Sequence, residues 1–189
     1  MLRRLILALL LCLAVPALAQ QAPVRVALAT SEGEILLEVD VARAPVTAAN
    51  FLRYVDQRRF DGATFYRAMR GGPDRGLIQA GAGHPRLPPI AHEPTSQTGL
   101  SHVDGVLSIA RDAPGSATAD ITIMLGDMTY LDAGGADPLG YAVFGRVVGG
   151  MDAVRRIHAA PTSPTEGEGA MRGQMLSPRI RILTARRAQ

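Results

Sequence analysis

The sequence has no tryptophan, no lysine and a single cysteine. Four Phe and four Tyr supply all its aromatic side chains, 4% of 189 residues. That scarcity disfavours a fold built round a large aromatic core. It also disfavours a nucleic-acid binder that works by repeated base stacking. A lone Cys12 excludes an intramolecular disulfide and a cysteine-based zinc site. There is no G-x-S-x-G elbow to anchor a hydrolase of that type. Gly71-Gly72-Pro73-Asp74-Arg75-Gly76 matches no phosphate-loop spacing and reads as a flexible turn. His84, His92 and His102 fall in one long loop at a spacing that places no pair on one helix face. They read as exposed loop residues, and no metal or cofactor is expected.

The remaining composition favours a globular chain. It is 47% hydrophobic and 20% charged, enough to bury a core, and its length suits one domain. Met1–Arg4 carries two arginines, Leu5–Val15 is apolar, and Ala17-Leu18-Ala19 is a small-x-small cleavage pattern. This three-part layout predicts a secretory signal peptide over residues 1–19, with a single domain over 20–189. A periplasmic or secreted protein is therefore expected. Removing the leader takes away Arg3, Arg4 and Cys12 and lowers the net charge from +3 to +1. A polyanionic partner, nucleic acid included, is not implied.

Val24–Thr30 and Glu34–Asp40 are rich in β-formers and read as an opening hairpin turned at Ser31-Glu32-Gly33. Ala44-Pro45-Val46-Thr47 opens a helix whose apolar face holds Phe51, Tyr54 and Val55. Short strands are predicted at Thr64–Met69, Leu77–Ala80, Val106–Ala110, Ile121–Leu125 and Val143–Val148. A second helix is predicted at Met151–Ala159, a loop at Pro161–Met171 and a closing strand at Ile180–Thr184. Many short strands with two helices suggest a closed β-barrel with helical caps.

Five segments, in order, carry a resemblance. Phe65-Tyr66-Arg67 resembles the cyclophilin strand that ends in the catalytic arginine. Leu77-Ile78-Gln79-Ala80-Gly81 looks like that family's Gln-Gly-Gly strand. Gly105-Val106-Leu107-Ser108-Ile109-Ala110-Arg111 is similar to its G-x-L-S-M-A segment. Ser116-Ala117-Thr118 resembles the start of the bacterial S-x-Q-F-F run. Phe144-Gly145-Arg146-Val147 with Gly150-Met151-Asp152 matches the approach to the last helix. The resemblance implies a mainly β fold, a closed eight-stranded antiparallel barrel with two capping helices. It implies a monomeric peptidyl-prolyl cis–trans isomerase acting on proline-containing polypeptides. A non-catalytic proline-peptide-binding or assembly module on the same barrel is the alternative.

The resemblance also implies roles. Arg67 would stabilise the twisted X–Pro amide and Gln79 would grip a flanking carbonyl. Phe65, Leu77, Ala110, Asp120, Thr122, Leu131 and Tyr141 would line the substrate groove. From the strands alone, Arg67 reads as a surface arginine in an ion pair, Gln79 as an exposed residue and Leu131 as core.

The match also has departures. Gly71–Arg75 and Ala133–Leu139 are insertions. Gly76 stands where an aromatic is usual, and Tyr130 where the family has Trp. Asp120 replaces a groove Gln, and would either attract a basic substrate neighbour or pair with Arg67. Thr122 replaces the Phe that floors the proline pocket, removing contact worth on the order of 1.5–3 kcal/mol.

Overall fold

The computed structural model describes residues 22–72, 74–83 and 85–189. The expected signal peptide over 1–19, Cys12 within it, and His84 lie outside these residues.

Among the described residues nine strands are formed: β1 (Val24–Thr30), β2 (Gly33–Val39), β3 (Thr64–Arg70), β4 (Gly76–Gly81), β5 (Val106–Ile109), β6 (Asp120–Leu125), β7 (Ala142–Gly149), β8 (Thr162–Ser163) and β9 (Met175–Ala188). Eight follow one another around a closed antiparallel barrel in the order β1-β2-β7-β5-β6-β4-β3-β9, and β9 pairs back onto β1. The two-residue β8 only extends the edge of β9. Alternation along the strands decides what faces inward. Ile78 and Ala80 of β4, Ile121 and Ile123 of β6, and Leu107 of β5 are buried in the interior. Their neighbours at odd steps face out, and that outer face becomes important below.

The few aromatics are concentrated rather than spread. Phe51, Tyr54, Phe60 and Phe144 are fully buried and pack ring to ring, with centroids 5.3–6.0 Å apart. A small aromatic knot thus sits where helix α1 (Pro45–Asp56) caps the barrel. Helix α3 (Met151–Ala159) caps it elsewhere, burying Ala153, Val154 and Ile157. Both match the expected positions. A third helical piece, the single turn α2 (Thr95–Thr98), interrupts the long loop before β5.

That loop has a structural task. Ala44, the residue before α1, offers no side-chain cap. Glu93 supplies one from 46 positions away. Its carboxylate accepts from the backbone N–H of Val46 at 3.0 Å and Thr47 at 2.6 Å, and from the Thr47 hydroxyl at 2.6 Å. A negative group over a helix N-terminus satisfies free donors and complements the dipole.

Two expectations need correction near the C-terminal end. The expected closing strand, Ile180–Thr184, is in fact the long β9, Met175–Ala188. It escapes a pattern reading because its pairing with β3 slips: Phe65 faces Ile180, whereas Arg67 faces Met175. Pro178, which has no N–H to give to a ladder, sits in that slip. The expected loop at Pro161–Met171 contains β8 and a helical turn at Gly169–Met171.

Candidate active site

One groove of about 660 Å³ crosses the outer face of β3, β4, β6 and β5. Register lays out its floor. Arg67 pairs with Gln79, Gln79 with Thr122, and Thr122 with Ser108. Side chains in register across adjacent strands share a face, so these four form a polar row. Two residues along, Met69 pairs with Leu77 and Leu77 with Met124. This second row is apolar. It rests on a small cluster outside the barrel interior, made by Leu77, Val106, Met124, Met128 and Val143, with Leu131 against it. A cation and an amide therefore stand beside an apolar bed.

Seven of the expected groove positions, Leu77, Gln79, Ala110, Asp120, Thr122, Leu131 and Tyr141, line this cavity together with Arg67. Phe65 does not; it is fully buried in the interior. The reason is a bulge. Pairing jumps from Phe65 with Ala80 to Arg67 with Gln79, so Tyr66 is the extra residue and joins Arg67 on the groove side.

Arg67 is half-buried and has no carboxylate partner among the described residues. Its Nη1 donates to Gln79 Oε1 and its Nε to Gln174 Oε1, both at 2.9 Å. Burial pulls its pKa below the ordinary guanidinium value, with Tyr66, Tyr130 and Tyr141 acting the other way. The surface ion pair suggested by the strand alone is not formed.

Asp120 does not pair with Arg67 either. It forms an ion pair with Arg86, and accepts from the Tyr66 hydroxyl at 3.2 Å. Burial and the adjacent Asp120 carboxylate raise the Tyr66 pKa, so the phenol stays a donor. Across the groove Arg111 is similarly engaged. Its Nη2 bonds Asp137 at 2.8 Å and the Gly140 carbonyl at 2.5 Å, and its guanidinium lies 4.8 Å from the Tyr141 ring centroid. The Ala133–Leu139 insertion thus supplies the acid that holds Arg111.

Thr122 is nearly buried in the floor, and its hydroxyl donates to the Ser108 carbonyl at 3.2 Å. Gly76 is filled from elsewhere. A Cβ there would lie 2.2 Å from the Met69 carbonyl oxygen and 2.4 Å from His158 Nε2, so no aromatic fits.

His102 departs from expectation most. It is wholly buried, with Nδ1 2.6 Å from Asp132 Oδ1 and Nε2 2.9 Å from Ser108 Oγ. The order serine, histidine, aspartate matches that of a nucleophile relay. Ser108 is only 1% exposed, however, and its hydroxyl also lies 3.1 Å from the Ala142 carbonyl. The network instead ties β5, β7 and the turn after Leu131 together beneath the groove.

Sequence reasoning missed Met69, Met124, Tyr66, Arg86 and Gln174. Met69 and Met124 were within reach, each two residues beyond an assigned groove position. Gln174 carries no local signal at all.

Residues 25–186 match the family described as cyclophilin type peptidyl-prolyl cis-trans isomerase. Peptidyl-prolyl cis-trans isomerase A of Dickeya dadantii is 35% identical over 154 residues, spanning 78% of this chain and 77% of that protein. Peptidyl-prolyl cis-trans isomerase B of Escherichia coli is 34% identical over 142 residues, or 70% and 83% of the two chains. A crystal structure of a Cryptosporidium parvum cyclophilin type isomerase shares the fold. It has a TM-score of 0.71 at 16% identity, covering 88% of this chain and 98% of its own. Barrel order, groove and family match agree, and the chain belongs to the cyclophilin-type peptidyl-prolyl cis–trans isomerase family.

Proposed function

We propose that this isomerase turns X–Pro bonds in the groove over β3, β4, β6 and β5, with Arg67 as its catalytic residue, and that it works outside the cytoplasm. The observation that carries the first part is the juxtaposition of the two rows. Arg67 and Gln79 stand beside Met69, Leu77 and Met124.

The reaction needs no nucleophile. Amide resonance sets a barrier of about 18–20 kcal/mol, and uncatalysed X–Pro exchange takes tens to hundreds of seconds. Twisting the amide localises a lone pair on the prolyl nitrogen. A guanidinium N–H aimed at that nitrogen gains an acceptor only in the twisted state, which is differential stabilisation of the transition state. Arg suits the role because it stays charged and its donor fork is rigid. Gln79 gives its oxygen to Arg67, and its Nε2 makes no hydrogen bond among the described residues. That leaves the amide nitrogen for a substrate carbonyl. The apolar row seats the proline ring, and methionines there adapt their shape to it. One structural neighbour was solved in the presence of the dipeptide Ala-Pro, which fits a proline-peptide ligand for this groove.

An exchange assay on a proline peptide, by NMR or protease coupling, tests the reading. Arg67→Ala is expected to lower kcat/KM by about 100-fold or more, as for loss of a preorganised donor. Equal rates for the two proteins would remove Arg67 from the chemistry. Peptide binding without exchange by the unmodified protein would favour the binding-module alternative.

Export rests on the charged, apolar and small-residue pattern of residues 1–19. N-terminal sequencing of the protein from fractionated cells is expected to give a chain starting at Gln20 outside the cytoplasm. A chain starting at Met1 in the cytosol would overturn it.

A further inference from the structure

Arg67 reaches the groove on a long, flexible side chain, and something must aim it. Gln79 holds one nitrogen. The other hold comes from a residue 107 positions away. Gln174 accepts from Arg67 Nε at 2.9 Å, and its own orientation is fixed at three points. Its Nε2 donates to the Ala170 carbonyl at 2.7 Å, its backbone N–H donates to the Met171 carbonyl at 3.0 Å, and its backbone carbonyl accepts from Ala68 N–H at 2.9 Å. The donor to Ala170 settles which end of the amide faces the guanidinium: the oxygen. Gln174 is absent from the cavity lining, whereas Ala170, Met171 and Met175 around it are present. It therefore acts behind the groove.

Chemical type matters as much as place. Both acceptors on Arg67 are neutral amides. Their bonds are already charge-assisted by the guanidinium, and they hold it without offsetting its charge. A carboxylate at either position would bind the guanidinium tightly and cancel its charge. Asp120, an acid lining the groove, is already committed to Arg86 and Tyr66. With Nε and Nη1 held, Nη2 makes no hydrogen bond among the described residues, and Arg67 lines the groove with no carboxylate among them to compensate its charge.

We propose that Gln174 is the positioning residue that aims Arg67 into the groove, and that its neutrality keeps the guanidinium available to the twisted amide. This rests on Arg67 being the catalytic residue. The test therefore runs Arg67→Ala, Gln174→Met, Gln174→Glu and the Arg67→Ala/Gln174→Met double variant together in the prolyl-exchange assay. Each is checked for folding by its thermal melt. Gln174→Met is expected to lower kcat about tenfold, with KM within about twofold, because ground-state contacts are untouched. Gln174→Glu is expected to lose more at neutral pH and to regain rate as the pH falls and the new carboxyl protonates, a profile that loss of structure would not produce. The double variant is expected to be no slower than Arg67→Ala alone. A slow Arg67→Ala beside Gln174 variants at the unmodified rate overturns the positioning role and spares the catalytic one. Arg67→Ala at the unmodified rate overturns both. If Gln174→Glu does not fold, the NMR signal of Arg67 Nε–H in Gln174→Met decides: a shift is expected, and an unchanged signal overturns the proposal.

Discussion

Arg67 and Gln79 face each other directly across the β3–β4 pair, and Arg67 Nη1 donates to Gln79 Oε1 at 2.9 Å. Backbone register places the two residues opposite each other, and the bond between their side chains holds one guanidinium nitrogen. With its oxygen given to Arg67, Gln79 keeps its amide nitrogen free of hydrogen bonds among the described residues, as the proposed grip on a substrate carbonyl requires.

Gln79→Glu replaces that neutral acceptor with an anion and removes the free donor. It is expected to lower kcat/KM at least tenfold, since about 1.4 kcal/mol of added ground-state hold on Arg67 suffices. Gln79→Ala, which removes the grip without neutralising the cation, is expected to act mainly on KM. Steady-state exchange kinetics on one peptide separate the two.

Asp120 balances Arg86 at the groove wall. In Asp120→Asn that balance is lost and Arg86 adds to the field of Arg67. Peptides with an acidic residue beside the proline are expected to gain several-fold in kcat/KM, and basic ones to lose. The difference is expected to shrink at high salt as screening grows. Identical responses from both peptides would refute the electrostatic account.

Glu93→Ala strips α1 of its one side-chain cap among the described residues and strands two backbone donors. A loss of about 2–3 kcal/mol is expected, seen as a Tm lower by roughly 4–12 °C. Glu93→Gln, whose oxygen still accepts, is expected to lose less. Prolyl exchange at low temperature is expected to be little changed in both.

His102 sets a pH dependence of stability. Burial lowers its pKa from the ordinary 6.5, and the bond to Asp132 opposes this only in part. The unfolded chain thus takes up a proton at a higher pH than the native one does. Stability is expected to be full above pH 6.5 and to fall as the pH drops below it. Asp132 adds a second, lower loss. Burial raises its pKa, but bonds from Ser101 and His102 lower it further, to a net value under 3.8. Urea unfolding across this range is expected to show the first step in the unmodified protein and not in His102→Gln.

Much of this was legible in the sequence, and the failures have physical causes. Strand and helix positions followed from period-two and period-3.6 patterning, and the five ordered segments named the barrel. Phe65 was misplaced because a one-residue bulge reverses the phase of a strand without changing its composition. His102 was misread because a loop position says nothing about burial; the acid that accommodates it lies 30 residues on. Gln174 was invisible because its partner is distant in sequence. The few aromatics divide between core and groove. Five of the eight rings are buried, and the remaining three, Tyr66, Tyr130 and Tyr141, all border the groove. The vacancies at Gly76 and Thr122 also proved unequal, since backbone closes the first and the second opens on the floor.

β9 closes the barrel against β1 and also flanks β3. The seam of the barrel and the strand beside Arg67 are therefore one piece of chain, with Gln174 just ahead of it. During refolding, Arg67 gains its second hold only when the start of this segment reaches β3 and brings Gln174 to it across 107 positions. Contacts so far apart in sequence form slowly. Prolyl exchange should accordingly return last, after secondary structure and after collapse of the aromatic knot. The enzyme's own activity then serves as a clock for closure of its barrel.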